Sequence, residues 1–210
     1  MKSSLLVKNW KNFIKESQEE LVDSEYFEDQ YDVGLVPMSA KPFHEGHMSL
    51  IRKASDECKQ VIVYVSTSDR KRKGEITIFG EDMADIWDRI LVNYLPSNVF
   101  CIYGGSPVRK VYEKLEEGMQ DTNLEKTYAI YTGEEDKKRY SPKYYIDMIE
   151  RVFIRTMTRG EDTIPISGTL MRSYLSNASE DKFLFLDGLP KEISDEDQEE
   201  IFNILFSRLN

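Results

Sequence analysis

Several residue types are scarce in this chain. Its 210 residues include two histidines and two cysteines, and Lys plus Arg number 28 against 38 Asp plus Glu. Each shortage excludes something. A formal charge of −10 gives a surface that repels nucleic-acid backbones and anionic membranes, which argues against a protein that coats DNA or RNA. It still permits a small anionic ligand, because that needs only a local cluster of donors. Cys58 and Cys101 lack metal-site spacing and read as small apolar residues in a reducing compartment. No apolar run approaches membrane-spanning length, and MKSSLLVKNWKNF contains no sustained apolar stretch before its charges resume. No internal repeat or low-complexity tract is present. The expectation is a soluble cytoplasmic protein with no nucleic-acid and no membrane partner.

What is present is patterned. Residues 1–30 read as a helical N-terminal extension, with Leu5, Leu6, Trp10, Phe13 and Ile14 at helix-like spacing. It is acidic, since residues 15–32 carry eight carboxylates and one lysine. From Tyr31 the pattern changes to short apolar runs separated by amphipathic stretches. YDVGLVPM, VIVYVS, NVFCIYGG and KTYAIYTG predict strands, and ERVFIRTMTRG predicts a fifth that its arginines weaken. Helices are predicted over His47–Cys58, EDMADIWDRILVNYL, VRKVYEKLEEG, TLMRSYLSN and DEDQEEIFNILFSRL. This alternation predicts an α/β domain over 31–176, a Rossmann-like parallel sheet with helices on both faces, followed by a C-terminal helical segment over 177–210 packed on it. Ligands of such folds sit beyond the carboxyl ends of the strands, so loops 38–46, 66–80, 104–107, 132–140 and 158–169 are the ones to watch. The closing stripe Ile201, Ile204, Leu205 and Leu209 suits packing on the domain or on a second subunit, which leaves a homo-oligomer open.

Both histidines fall in one of these loops, KPFHEGHMSL (41–50). Pro42 restricts the chain, and Gly46 allows close approach where loop meets helix. His44 and His47 then stand by the N–H groups of a helix start, a natural anion site. Imidazole donors there suit phosphoryl or nucleotidyl transfer, where positioning and electrostatics dominate. Helix capping and metal ligation are the alternatives. A metal pair needs further ligands, and no third histidine exists. The second constellation is IPISGTLMRSYL (164–175). Ser167 and Thr169 can cap the next helix, Gly168 keeps the turn open, and Arg172 lies on the same side of the first turn, where a guanidinium can reach a polyphosphate. A capped helix with a surface arginine is the plain alternative.

Together, HEGH and ISGTLMR resemble the HxGH and ISGTxxR pair of the nucleotidyltransferase superfamily. That superfamily includes nicotinamide-mononucleotide adenylyltransferases, pantetheine-phosphate adenylyltransferase and cytidylyltransferases. The similarity covers residues 31–175, and its flavour is nearest the archaeal-type nicotinamide-mononucleotide adenylyltransferases, which read PFHxGH. The resemblance implies transfer of AMP, or alternatively CMP, from a nucleoside triphosphate to a phosphorylated acceptor such as nicotinamide mononucleotide, with release of pyrophosphate and with Mg²⁺ as cofactor. By the same resemblance, His44 and His47 contact the triphosphate and stabilise its transition state, and Gly46 makes room for the nucleotide. Ser167, Thr169 and Arg172 hold the β and γ phosphates. No covalent protein nucleophile is implied, so Ser167 is not one. The chain departs from the pattern where members read GRFQPFH: it has Met38, Ser39 and Ala40 in the first three places. The acceptor end of the pocket is therefore less transferable than the reaction. A nucleotide-binding or assembly protein with weak or lost catalysis is the rival reading.

Weaker signals lie after the strands. Lys41 precedes the Pro-Phe pair, where its charge can reach phosphates. RKRK (70–73) follows the second strand, with Arg70 the member placed to point inward. Gly104 and Gly133 offer backbone approach for a base or ribose, and Asp136 can read polar groups, although a glycine after a strand is usually a turn. No metal-ligating set is expected.

Overall fold

In the computed structural model, residues 30–120, 126–158 and 165–208 are described. The helical extension expected over 1–30 lies outside them except for Gln30, as does Leu209 of the closing stripe.

The continuous apolar run around Val61–Val65 explains the centre of the fold. It forms β2 (Cys58–Val65), whose Val61, Val63 and Val65 join one buried cluster while Ile62 and Tyr64 join the other. A strand with both faces buried needs no polar alternation. Beside it β1 (Tyr31–Met38), β3 (Val99–Tyr103), β4 (Tyr128–Gly133) and β5 (Val152–Met157) complete a sheet in the order β3-β2-β1-β4-β5. Every pairing is parallel. The chain steps outward from β1 to β3, then returns to the far side of β1 with β4. The strand order reverses between β1 and β4, and that crevice is where open α/β sheets bind ligands.

The helices are α1 (Glu45–Glu57), α2 (Gly80–Arg89), α3 (Pro107–Gln120), α4 (Gly168–Ser176), α5 (Ala178–Asp187) and α6 (Asp195–Ser207). One core contains Met48 and Ile51 of α1, Ile86 and Trp87 of α2, Met171 of α4, Phe185 of α5 and Phe202 of α6. The other contains Val111 and Leu115 of α3 with Tyr140, Tyr145 and Met148. This is a Rossmann-like α/β fold with both faces of the sheet covered.

Several details differ from the pattern reading. The first helix starts at Glu45 rather than His47, because His44 already has the extended backbone of an N-cap. The helical segment expected over 177–210 contains, besides the closing helix α6, a helix α5 (Ala178–Asp187) that the pattern reading did not place. Arg155, the arginine within β5, is accommodated: its Nε donates to Glu57 Oε2 at 3.0 Å, and the Tyr131 hydroxyl donates to the same oxygen at 2.8 Å. That makes Tyr131 a core residue. Among the described residues, no helix is long and apolar enough to cross a membrane.

Candidate active site

A cavity of about 590 Å³ opens at the carboxyl ends of the strands, and all five of the loops singled out contribute to its wall. Its size suits a small-molecule ligand. Lys41 and His44 come from the loop after β1, Gly46 and His47 from the first turn of α1, Arg70 and Arg72 from the loop after β2, and Ser106 from the loop after β3. Thr132, Gly133, Asp136 and Arg139 follow β4, and Ser167, Gly168, Thr169 and Arg172 follow β5. Of the residues expected in the site, Gly104 alone is not in this wall. It sits at φ +100°, donates its N–H to Val65 O at 3.1 Å, and so serves as a turn.

The two imidazoles stand together, their ring centroids 3.8 Å apart. Phe43 stacks on His47 at 5.6 Å and meets Trp87 edge-on at 5.0 Å, which ties the histidine loop to the core. His44 occupies the N-cap position, yet its side chain makes no capping hydrogen bond. Capping therefore does not explain that imidazole. Two first-turn amides are already engaged, Glu45 N–H with Gly188 O at 3.0 Å and His47 N–H with His44 O at 2.8 Å. The helix start thus offers an anion fewer free amides than its position alone suggests, and the side chains carry more of the task. A Cβ at Gly46 would lie 3.1 Å from His44 Cε1, so this glycine makes room for the histidine ring itself.

Arg172 joins the two motif loops. Its side chain is 3% exposed. Nη1 donates to the backbone oxygen of Lys41 at 2.6 Å, Nη2 to Thr169 Oγ1 at 2.9 Å, and Nε to Glu75 Oε2 at 2.7 Å. Ser167 caps α4 as expected, accepting from Leu170 N–H at 3.2 Å. Gly168 is where the loops touch: a Cβ there would lie 3.1 Å from Arg172 Nη1 and 3.3 Å from Lys41 O.

The pocket is cationic although the protein is acidic. Lys41 is 3% exposed, and its ammonium donates to Ser66 O at 2.5 Å. Burial pushes it down to about 8, with Asp69 opposing and Arg70 reinforcing the fall. Burial also lowers Arg70, helped by Arg72 and Arg172. Arg70 Nε is buried with no hydrogen-bond partner among the described residues. Such donors cost free energy until an anion satisfies them. At the other end of the cavity Arg139 Nε bonds Asp136 at 2.9 Å, and Tyr112 of α3 fixes this segment by donating to Arg139 O and accepting from Ser141 N–H. Before the histidine loop, Ala40 holds a left-handed φ of +48° while 1% exposed, an uncommon conformation for alanine and one concentrated at functional sites.

Sequence reasoning did not single out Thr132, Arg72 or Glu75. Arg72 lies within a quoted basic run. Glu75 carried one faint signal, an acid placed directly after that run and Gly74.

The family model for the citrate lyase ligase C-terminal domain matches residues 33–101, which takes in the histidine loop but not the Ser167–Arg172 loop. Among solved structures, the chain is similar to a bifunctional NMN adenylyltransferase/ADP ribose pyrophosphatase from Francisella tularensis. The identity is 17% and the TM-score 0.51, covering 86% of this chain and 54% of that one. This chain therefore spans about half the length of that protein, and the likeness is one of fold. No curated protein matches. The family match covers about a third of the chain, and the structural likeness shows a shared Rossmann-like fold.

Proposed function

We propose that the protein transfers AMP, with CMP as the alternative group, from a nucleoside triphosphate to a phosphorylated acceptor such as nicotinamide mononucleotide. One observation carries this reading: Arg172 binds the Lys41 carbonyl, so the histidine loop and the Ser167–Thr169 loop form one cationic recess at the reversal of strand order. An acceptor phosphate oxygen forms the new bond to the α phosphorus as the bond from that phosphorus to the bridging oxygen breaks, and the electron pair leaves with pyrophosphate. His44 and His47 donate hydrogen bonds to charge that grows on the transferring and leaving groups. Lys41, Arg70 and Arg172 hold the polyphosphate, and Thr169 orients Arg172.

Mg²⁺ fits this reading as an ion carried by the triphosphate. Among the described residues, no group of three or more His, Cys, Asp or Glu is placed to hold a metal. When bound, it supplies charge neutralisation to adjacent phosphates.

The test is pyrophosphate release from each nucleoside triphosphate with a panel of phosphorylated acceptors. Release with one triphosphate and one acceptor identifies the reaction. Triphosphate binding with no release across the panel favours the rival, a nucleotide-binding or assembly protein. Failure of folded protein either to bind or to turn over would end the reading.

A further inference from the structure

We infer that Glu75 is a positioning residue that occupies Arg172 while the triphosphate site is empty and reclaims it as pyrophosphate leaves. The inference rests on the nucleotidyltransferase reading of the same pocket. Of the three Arg172 contacts, those to Lys41 O and Thr169 lie within the motif loops. The third comes from elsewhere: Nε donates to Glu75 Oε2 at 2.7 Å, and that bond holds the Glu75 carboxyl below its ordinary range. A carboxylate thus sits on the guanidinium assigned to the β and γ phosphates.

The segment that delivers it is built to let go. Arg70 and Ile78 pair antiparallel, with N–H to O distances of 2.8 and 3.2 Å. Ile78 is 1% exposed, and Gly80 N–H donates to Asp69 Oδ1 at 3.0 Å, so the base of the hairpin is anchored. The tip, 71–74, is exposed. Gly74 sits there at φ +82° with nothing within 4 Å of the place a Cβ would take. Lys71 ties the start of the tip to the base by pairing with Asp69 at 3.1 Å, which leaves the open side of the tip at Gly74, next to Glu75. The hairpin's other cargo is cationic, since Arg70 and Arg72 both line the cavity. An arriving polyphosphate therefore replaces one carboxylate on Arg172 and meets two further guanidinium groups on the same hairpin. When pyrophosphate is the remaining ligand, Glu75 competes with it for Arg172 and speeds its departure, the step that often limits turnover.

The experiment compares the full chain with Glu75→Gln and Glu75→Asp. It measures binding of inorganic tripolyphosphate, pyrophosphate and a nucleoside monophosphate by calorimetry, and steady-state kinetics with the triphosphate. Glu75→Gln should bind tripolyphosphate and pyrophosphate about tenfold more tightly, the factor to which one charge-assisted hydrogen bond converts. KM for the triphosphate and the inhibition constant of pyrophosphate should fall together while kcat does not rise. Affinity for the monophosphate, which lacks β and γ phosphates, should stay within about twofold. Glu75→Asp, with its charge kept and its reach shortened, should fall between, and it carries the test where the glutamine variant does not fold. Wild-type protein that binds tripolyphosphate, with both variants binding it equally or more weakly, overturns the role of Glu75 and leaves the site reading standing. Wild-type protein that binds neither tripolyphosphate nor any nucleoside triphosphate overturns both.

Discussion

Lys41 carries a charge that the pocket itself sets, so pH can probe it. Its fall from 10.5 to about 8 on burial corresponds to about 3 kcal/mol of lost preference for the ammonium form. A bound polyphosphate supplies the missing countercharge and returns that preference. Above pH 8 the empty site holds a neutral amine, and binding must take up a proton. Affinity should therefore fall as pH rises through about 8, by about eightfold between pH 7.5 and 9 where the lysine recovers fully. The terminal phosphate of a nucleoside triphosphate, like a phosphate monoester, completes its last ionisation near pH 6, so that ligand's own charge is nearly constant over this range. The assay is nucleoside-triphosphate binding without acceptor, by calorimetry from pH 7 to 9.5, in two buffers of different ionisation enthalpy to count the proton. Lys41→Met should bind more weakly at pH 7.5 and lose the pH dependence. A flat wild-type profile, or the same slope in Lys41→Met, would refute the reasoning.

The same lysine acts on stability with a definite sign. Its folded value lies below its unfolded one, so the unfolded chain binds more protons between about 8 and 10.5, and the empty protein gains stability as pH rises through 8. The thiols oppose it. Burial raises Cys58 from 9.0 to about 11 and raises Cys101 as well. Stability from those thiols is complete below pH 9 and is lost above it. Two thiols outweigh one ammonium, which confines the rise to pH 8–9 and to about 1 kcal/mol, roughly 3 °C in Tm. Melts of the empty wild-type protein should show this shallow maximum, and Lys41→Met should not.

Three further outcomes are expected. His44→Ala and His47→Ala should each fold normally and lose about 10²–10³ in turnover, with melting unaffected by chelator; near-normal turnover in both removes their catalytic assignment. Arg172→Ala should raise KM for the triphosphate, lower kcat and also destabilise the protein by about 1–3 kcal/mol, because the Lys41 carbonyl loses its guanidinium partner; chemical denaturation measures that last part. Gly168→Ala should weaken triphosphate binding more than it lowers Tm, since its new Cβ meets Arg172 Nη1 and Lys41 O at 3.1 and 3.3 Å; equal loss in both would mark a purely structural glycine.

The parts of the site that could be read in the chain are those whose chemistry is local. Ser167 caps the helix that immediately follows it, and Arg172 meets Thr169 three residues away, as helical spacing requires. β2 could be read because a strand buried on both faces leaves an unbroken apolar run. Harder features depended on distant partners. The reason for Gly46 is the ring of His44, and the reason for Gly168 is a carbonyl 127 positions earlier, at Lys41. Glu75 acquires its role only when the hairpin closes on Arg172, a pairing 97 residues apart. Arg155 of β5 looked unsuited to a strand until Glu57 was placed opposite it.

The charge distribution follows from the same division between local and long-range effects. Over long distances a protein of net charge −10 repels polymeric anions. Screening in physiological salt confines that repulsion to about 8 Å from the surface. Inside the recess Lys41 from the loop after β1, Arg70 and Arg72 from the loop after β2, and Arg172 from α4 converge, and repulsion from Arg72 and Arg172 is part of why Arg70 is lowered. Such a cluster is costly when empty. Glu75 offsets part of that cost at Arg172, and a polyphosphate can offset more because it brings several charges to several donors at once. An acidic exterior with a cationic recess thus selects by size: a small, highly charged anion can enter where a nucleic-acid strand is turned away.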